Sequence, residues 1–514
     1  MKDAIYYRLM EILPAFLAWG TFILMFVLSI FLPVWVAFFI ILFDLYWLLK
    51  TVYLSLHLRS SFSKMKENMK INWLEKLKGD NKLKDWQNVY HLIILPMYNE
   101  DYEVVRESFL RLTEINYPVD KMIVVLGLEE RAGDINIVIK EKIEKEFGNK
   151  FYRFLVTTHP ENLSGEKPGK GSNEAWAGKI VKEEIIDREK IKYEDVLVSV
   201  FDVDTQVYEE YFGILTWTYL NTENKLRASY QPVPLFLNNV FQAPALARII
   251  GFSGTFWHLI QQSRPEKLTT FSSHSMPFKA LVDIGFWNKD IVSEDSRVFW
   301  QCLIQYNGDY KVVPLFYPVS MDANVAPTFW RTMLNLYKQQ RRWAWGSENV
   351  AYLMRGFRKN KKISFSKKLL WGFHTIEGNH SWATNSIIIF ALGWLPIILG
   401  GQTFRVTLLA YNLPEITRFV MNFASIGIIS SAVLSMSLLP KRPEWFSKRN
   451  YLWYFASWLI MPFTLIFFGA IPALEAQTRL ALSGRFRLDF WVTPKHRKLT
   501  DDEEIKNSKL KVEN

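Results

Sequence analysis

The apolar positions at the beginning of the chain form two long, nearly uninterrupted runs. They extend over 13–32 and from 34 to about 56, with Pro33 as a turn between them. Each run is long enough for a helix to cross about 30 Å of hydrocarbon. The first run is too long for the core of a signal peptide. We therefore predict that residues 1–56 form two transmembrane helices.

Basic residues follow these two runs, and they indicate which side of the membrane the next segment occupies. Six of them lie within 20 positions: Arg59, Lys64, Lys66, Lys70, Lys76 and Lys78. Positive charge next to a membrane helix favours the cytoplasmic side. We expect residues 57–87 to be a basic cytosolic linker in an integral protein of a prokaryotic cell membrane. The block after it is then cytoplasmic.

From residue 88 to 350 the pattern changes to short apolar runs that alternate with helical periodicity. The runs at 91–96, 122–127, 153–158 and 196–202 predict buried strands, and 100–115, 134–147 and 172–187 carry helical spacing. Such alternation predicts a parallel sheet with helices on both faces. In these sheets ligands bind beyond the carboxyl ends of the strands, so candidate chemistry is sought there.

The last third of the chain is again apolar. A basic amphipathic stretch at 351–383 suits helices lying on an anionic membrane surface. Residues 384–475 contain apolar runs at 384–400, 419–439 and 451–473, which predict three or four transmembrane helices. Residues 476–514 read as a cytosolic tail, disordered over 500–514.

The side of the tail limits the number of crossings. A cytosolic tail requires an even number of crossings after residue 350, whereas three apolar runs give an odd number. Either 369–383 or 402–418 also crosses the membrane, or one run is re-entrant.

The composition of the chain limits the classes of partner that we expect it to bind. The formal net charge of +11 is spread through the middle of the chain, and no nucleic-acid-binding motif accompanies it. Membrane lipids are therefore the expected partners of this charge, and nucleic acid is not. Cys302 is the single cysteine, which excludes an internal disulfide and a cysteine metal cluster.

Two carboxylates follow the fourth predicted strand directly. Asp202 and Asp204 end an apolar run, which places both at the ligand-binding edge of the sheet. Adjacent carboxylates repel each other unless a cation lies between them. Their oxygen atoms suit Mg²⁺ or Mn²⁺, and either ion would bridge to a diphosphate. The alternative is a solvated turn.

Two further segments carry candidate ligand-binding groups. Tyr98 and Glu100 follow the first strand, where the ring can stack on a nucleobase, although a helix start explains the carboxylate equally well. Lys170 and Asn173 lie in a glycine-flanked segment that lacks the spacing of a P-loop. A lysine opening a helix can still meet phosphate. A mobile surface loop is the alternative.

Two motifs lie further along the chain. Glu294 and Asp295 precede an apolar helical run, where they form either an ordinary acidic helix start or a general base. Gln339, Arg342 and Trp343 share a helix face and can hold a phosphate and stack on a sugar. Their alternative role is that of membrane-interface residues. The trio at 374, 377 and 380 lacks the zinc-protease spacing.

In this order the segments PMYNE, DVD, SED and QQRRW resemble those of glycosyltransferase family 2, in the membrane-embedded branch with cellulose and hyaluronan synthases. The resemblance covers about residues 88–345. It implies an α/β GT-A-type, Rossmann-like cytosolic domain joined to a multi-pass helical membrane region. It also implies an inverting transfer of a sugar from a nucleotide-sugar, with a UDP-sugar expected, to a saccharide or lipid acceptor.

The resemblance also implies roles for individual residues. Asp295 would be the general base and Asp204 would hold the metal, with Asp202 contacting nucleotide and metal. The remaining donor and acceptor contacts would come from Tyr98, Glu100, Lys170, Asn173, Glu294, Gln339, Arg342 and Trp343. The family places an aspartate after the second strand, where this chain has Glu129 or Glu130 to substitute.

Several functions remain open at this stage. A polysaccharide synthase is favoured by the Gln-x-x-Arg-Trp motif and the carboxyl-terminal helices. An enzyme that adds one sugar to a lipid is the alternative within the class. A membrane transporter with a cytosolic domain is the alternative outside it, and it would leave the acidic motifs unexplained.

Overall fold

The architecture combines a mixed β-sheet domain with long apolar helices. The computed structural model describes residues 2–494 and 497, except for the side chain of Lys84. The predicted disordered segment 500–514 and most of the second half of the predicted tail lie outside the described residues. The expected α/β, Rossmann-like domain joined to a helical membrane region is confirmed.

The sheet has eight strands in the order β3-β2-β1-β4-β7-β6-β8-β5. They are β1 Tyr90–Pro96, β2 Met122–Glu129, β3 Arg153–His159, β4 Val196–Val200, β5 Gln206–Val207, β6 Ala228–Leu235, β7 Ser275–Pro277 and β8 Lys311–Ser320. The four strands predicted from sequence are β1 to β4, and they pair in parallel. Strand β7 joins β4 antiparallel and connects these four strands to the remaining three.

Alternate side chains of the central strands build two cores. On β1, Ile93 and Leu95 pack into one buried cluster, whereas Leu92 and Ile94 pack into another. Successive residues of a strand point to opposite faces, so a fully apolar strand requires cover on both sides. This is why the continuous apolar runs form the centre of the sheet.

The described part of the sheet domain contains ten α-helices. They are α3 Trp73–Gly79, α4 Tyr102–Thr113, α5 Asp134–Phe147, α6 Lys170–Val181, α7 Tyr211–Asn221, α8 Ala245–Gln262, α9 Phe278–Asp283, α10 Glu294–Gln305, α11 Phe329–Ala344 and α12 Glu348–Lys359. The three segments predicted as helical at 100–115, 134–147 and 172–187 correspond to α4, α5 and α6. Helix α6 starts two residues earlier than predicted, and after Val181 it continues as a π-helical turn over Lys182–Ile186.

The apolar helices flank this domain in sequence. They are α1 Lys2–Phe31, α2 Pro33–Asn68, α13 Phe365–Phe390, α14 Leu395–Leu399, α15 Gly401–Arg405, α16 Leu408–Leu438, α17 Asn450–Ala456, α18 Met461–Leu465 and α19 Ile471–Leu482. Four helical segments are long and apolar enough to span a membrane: α1, α2, α16 and 450–482. The pair α13 and α14, bent by 54°, is a fifth candidate.

Both ends of the segment 450–482 contact the sheet domain. Near its first end the Tyr454 hydroxyl donates a hydrogen bond to the Val240 carbonyl at 3.3 Å. Near its last end Glu475 accepts one from Arg341 at 2.6 Å. Both partners belong to the sheet domain. The segment is also long and apolar enough to span a membrane.

Described residues near each end of the chain also contact the sheet domain or the helix that follows it. Asp3 at the start of α1 pairs with Arg355 of α12 at 2.6 Å. Arg497 pairs with Asp322 at 2.7 Å, just after β8. The carboxyl-terminal segment is thus packed on the domain that carries the predicted chemistry.

Candidate active site

The sheet order brings the predicted site segments to one edge. Strands β2, β1 and β4 are neighbours and run in parallel, so their carboxyl ends lie side by side. Glu129 ends β2, Tyr98 follows β1, and Asp202 follows β4. This is the edge at which open α/β sheets bind ligands.

A buried lysine lies at the centre of the acidic residues. Lys170, the first residue of α6, places its Nζ 2.9 Å from an Asp202 carboxylate oxygen and 3.0 Å from both Asp295 oxygens. The same Nζ is 3.6 Å from Glu174 and 3.8 Å from Glu294. One ammonium group therefore joins segments from β4, α6 and α10.

The electrostatics of this cluster follow from its burial. Desolvation alone lowers the pKa of Lys170, but Asp202, Asp295, Glu174 and Glu294 together raise it well above its usual value. Burial and the nearby Asp295 charge raise the pKa of Glu294 to about 8. Burial likewise raises the pKa of Glu174 well above the ordinary range. The lysine stays charged while the glutamate carboxyls resist ionisation.

Asp295 combines access with firm anchoring. It lies in the first turn of α10, and its side chain is 23% exposed, against 3% for Glu294. The Thr270 hydroxyl donates a hydrogen bond to the Asp295 backbone carbonyl at 2.5 Å. His274 Nδ1 lies 4.0 Å from an Asp295 oxygen. Of the two predicted acidic residues here, Asp295 is the more accessible.

The segment before β7 also holds Asp202 in place. The Ser272 hydroxyl donates a hydrogen bond to the second Asp202 carboxylate oxygen at 2.9 Å. The Asp202 side chain is 30% exposed, so it faces the site and still has two fixed contacts. Positions 270–274 thus connect the β4 carboxylate to the α10 carboxylate.

Asp204 lies deeper than Asp202. It is fully buried, and one carboxylate oxygen accepts a hydrogen bond from the Asp322 backbone N–H at 2.9 Å. Asn238 donates to the Asp204 backbone carbonyl at 2.9 Å. The Asp322 carboxylate, 2.9 Å from the Asn238 amide, pairs with Arg497. Asp204 is therefore placed by backbone contacts that tie β4 to the end of β8.

The residues predicted for the nucleoside form a separate group. Glu100 accepts a hydrogen bond from the Tyr98 backbone N–H at 2.9 Å. Arg131 donates to Glu129 at 2.6 Å, and its guanidinium lies 4.1 Å from the centre of the Tyr98 ring. Asn173 donates its amide to the Gly127 carbonyl at 2.8 Å, which ties α6 to β2.

The residues of the Gln-x-x-Arg-Trp motif do not converge on one partner. Gln339 is buried and accepts a hydrogen bond from Asn324 at 3.5 Å. Arg342 lies 5.1 Å from the Phe490 ring and lowers the pKa of Glu294, opposing the effect of burial. The Trp343 ring is 6.3 Å from Phe236. Of the three residues, Arg342 is the one whose charge acts on the acidic cluster, through Glu294.

Three residues of the site were missed from sequence. Glu174 lies inside a helix, where no sequence pattern marks it as functional. Arg131 stands in the altered segment after β2, and only its contact with Tyr98 shows its position. Phe490, in the carboxyl-terminal segment, packs against Gly169. The distance of 321 residues between these two hides their contact from any local pattern.

Two sets of acidic residues are candidates for holding a cation. Asp202 and Asp204, the expected metal residues, carry carboxylate oxygens of the kind that Mg²⁺ and Mn²⁺ prefer. The Asp202 side chain is partly open to the site, whereas that of Asp204 is buried. Among the described residues, the group of three acidic side chains whose oxygens lie within 4.8 Å of one another is Glu174, Glu294 and Asp295.

Comparisons with known proteins add a limited context. No protein-family model and no curated protein matches the chain. The chain is similar to the solved structure of the mannosyltransferase PcManGT from Pyrobaculum calidifontis in complex with GDP-Man and Mn²⁺. Identity is 14%, coverage is 74% of this chain and 99% of that chain, and the TM-score is 0.40.

It is also similar to S. aureus TarS 1–349. In complex with UDP-GlcNAc, identity is 12%, coverage is 69% of this chain and 93% of that chain, and the TM-score is 0.30. In complex with UDP the identity is 12%, the coverages are 81% and 98%, and the TM-score is 0.34. With TM-scores this low, these similarities carry no functional conclusion for this chain.

Proposed function

We propose that this protein is an inverting, metal-dependent membrane glycosyltransferase of family 2 type, which moves a sugar from a nucleotide-sugar to an acceptor hydroxyl. The observation that carries the proposal is the position of Lys170. Its ammonium joins Asp202 and Asp295, a donor-side and an acceptor-side carboxylate, at the carboxyl edge of the sheet. A reaction between a diphosphate leaving group and a hydroxyl needs these charges together.

The donor would lie along the edge from β2 to β4. Adjacent strands are about 4.8 Å apart, so this edge has the length of a nucleoside diphosphate. Tyr98 would stack on the base, and Glu129 with Arg131 would contact its polar edge. Asp202 and Asp204 would hold Mg²⁺ or Mn²⁺. When bound, this ion would neutralise charge on the diphosphate.

Lys170 would turn from Asp202 toward the diphosphate as the donor binds. A flexible lysine on the first turn of α6 is well placed for this change, since helix starts also favour anions. Its positive charge would stabilise the leaving diphosphate. Releasing Asp295 from the ammonium would also free that carboxylate to accept a proton.

Asp295 would then act as the general base. The acceptor hydroxyl would attack C1 of the sugar, forming the new C1–O bond as the bond from C1 to the diphosphate oxygen breaks. Asp295 would take the hydroxyl proton, and the departing diphosphate would keep the bonding electron pair. A single displacement of this kind inverts the configuration at C1. General-base assistance contributes about 10²–10⁴-fold to such steps.

The acceptor would approach along α11. Arg342, directed toward Glu294, supplies positive charge beside the cluster, and Trp343 offers an aromatic face 37% exposed. Gln339 would hydrogen-bond acceptor hydroxyls. Because this helix is tied to the apolar segment 450–482, the acceptor would be either a growing saccharide or a lipid at the membrane. We favour polysaccharide synthesis, and a UDP-sugar as donor.

The test uses purified protein in lipid nanodiscs, a panel of UDP- and GDP-sugars, and either Mg²⁺, Mn²⁺ or a chelator. We expect nucleoside diphosphate release from one donor, lost with chelator, and a labelled product of many sugars. Products that carry a single sugar on a lipid, formed under excess donor, would show that the enzyme makes a glycolipid and not a polymer. Absence of donor binding across the whole panel, in protein that remains folded, would contradict the proposal. If the protein were instead a transporter, Asp204→Asn would leave its transport activity unchanged.

A further inference from the structure

Three carboxyl groups beside Lys170 form a compact cluster that the proposed reaction uses only in part. One oxygen from each of Glu174, Glu294 and Asp295 lies within 4.8 Å of the others. Glu174 is fully buried and Glu294 is 3% exposed. Asp295 has the role of base in the reaction, whereas Glu174 has no role in it.

The two glutamates have oxygens without hydrogen-bond donors. Neither carboxylate oxygen of Glu174, nor Oε2 of Glu294, accepts a hydrogen bond from any residue in the described part of the chain. Lys170 Nζ contacts the aspartates at 2.9 and 3.0 Å but stays 3.6 and 3.8 Å from the glutamates. The lysine therefore satisfies Asp202 and Asp295 and leaves the glutamate oxygens facing one another.

The charges around this point do not balance when the carboxyls are ionised. Lys170 supplies one positive charge among four carboxyl groups, and the Arg342 guanidinium adds a second that acts on Glu294. Buried, uncompensated charges are strongly unfavourable. A folded protein retains such a group when a proton or a cation completes it. The geometry of the oxygens distinguishes these two possibilities, because a cation needs several oxygens to converge, and a proton does not.

The oxygens of the cluster are close enough together for one hard divalent ion to contact all three side chains. Opposite oxygen ligands are separated by twice the metal–oxygen distance, about 4.2 Å for Mg²⁺ and about 4.8 Å for Ca²⁺. The oxygens of the cluster lie within this limit. We propose that Glu174, Glu294 and Asp295 form a divalent-cation site of their own, separate from the ion expected at Asp202 and Asp204.

Such an ion gives Glu174 a part in the reaction. As Lys170 turns toward the donor diphosphate, Asp295 loses its ammonium partner in a partly buried place. A cation held by Glu174, Glu294 and one oxygen of Asp295 would replace that charge and keep Asp295 in position, while the second Asp295 oxygen would remain to take the acceptor proton. This role rests on the proposed function, whereas the binding of the ion does not.

The test is a titration of the full-length protein in nanodiscs with Mn²⁺, without nucleotide, in which electron paramagnetic resonance measures free Mn²⁺. We expect a site whose Kd rises at least tenfold in Glu174→Gln and in Glu294→Gln. Asp204→Asn should leave that site in place. Glu184→Gln, an exposed position just after α6, is the matched control and should bind as the wild type does.

Glutamine has the shape of a neutral glutamic acid, so Glu174→Gln separates a bound cation from a bound proton. Thermal unfolding establishes that each variant is folded. Unchanged Mn²⁺ affinity in folded Glu174→Gln and Glu294→Gln would overturn the site. Loss of all Mn²⁺ binding in the single variant Asp204→Asn would also overturn the site. A site that responds to Glu174→Gln in a protein without sugar transfer would retain this inference and reject the proposed function.

Discussion

Lys170 is the residue on which the largest number of site contacts depends. Its ammonium lies among carboxylates from three different elements, and its side chain is 9% exposed. Buried ion pairs contribute little net stability when intact, but loss of one partner is costly because the other charge remains buried. The integrity of the site therefore depends on this lysine before any substrate arrives.

Replacing Lys170 by methionine tests this dependence. We expect Lys170→Met to destabilise the sheet domain by about 3–5 kcal/mol, because Asp202 and Asp295 lose their shared partner. Chemical or thermal unfolding of the detergent-solubilised protein measures the change. Lys145→Met, on the exposed face of α5, is the control and should stay within about 0.5 kcal/mol of the wild type. Equal free energies of unfolding for the two variants would show that the Lys170 ammonium does not stabilise the sheet domain.

Among individual residues, the sequence identifies those that lie at the end of a predicted strand, because the strand determines their position. Asp202 and Tyr98 follow predicted strands directly, so their common edge could be inferred. Glu174 could not, since a carboxylate within a helix usually faces solvent, and here it is fully buried. The pairing of Arg131 with Glu129 and Tyr98 depends on the turn after β2, which no periodicity describes.

At the scale of elements, the start of α6 determines where Lys170 lies. Gly169 precedes it with φ of +141°, a conformation that residues with a Cβ atom rarely adopt. A Cβ at this position would lie 2.5 Å from the Phe490 ring. The loop before α6 thus needs glycine both for its backbone and for the close approach of the carboxyl-terminal segment.

Gly169→Ala tests the second of these requirements against a matched control. We expect it to lower kcat/KM more than Gly165→Ala does. Gly165 also has positive φ, at +80°, but a Cβ there would meet no atom within 4 Å. Both variants pay a backbone strain of about 1–3 kcal/mol, and only Gly169→Ala displaces Phe490. Steady-state kinetics of both variants would measure this difference. An equal loss of kcat/KM in the two variants would exclude a role for the Phe490 contact.

Some strands could be predicted from the sequence and others could not, for physical reasons. The four apolar runs became β1 to β4 because a strand buried on both faces must be apolar throughout. Strand β7 has three residues and β5 has two, which is too short for any pattern. Their pairing depends on contacts between distant parts of the chain, as when β7 joins β4 to β6.

At the scale of the whole molecule, the membrane topology and the site are connected. The sheet-domain side holds Asp3, Arg497 and both ends of segment 450–482. We predict from these contacts that segment 450–482 is re-entrant. The bent pair α13 and α14 and helix α16 would then be the two crossings after the sheet domain, which is an even number. The apolar runs alone could not give this number, because hydropathy does not show on which side of the membrane a run ends.

Labelling of single introduced cysteines tests this topology. Cys302 is fully buried, so it gives little background. We expect a membrane-impermeant maleimide to label Gly401→Cys in intact cells. Lys441→Cys, which precedes segment 450–482, and Leu482→Cys, at its last residue, should be labelled only after permeabilisation. Labelling of Lys441→Cys and Leu482→Cys from opposite sides would show that the segment crosses the membrane.

The central claim is that the carboxylate of Asp295 takes the acceptor proton in a sugar transfer at the Lys170 cluster. The most direct measurement compares nucleoside diphosphate release by the wild type, Asp295→Asn and the exposed control Asp290→Asn, in nanodiscs with the donor that supports turnover. We expect Asp295→Asn to lower kcat by about 10²–10⁴-fold with donor affinity retained, while Asp290→Asn turns over normally. Turnover by Asp295→Asn equal to that of the wild type would contradict the account.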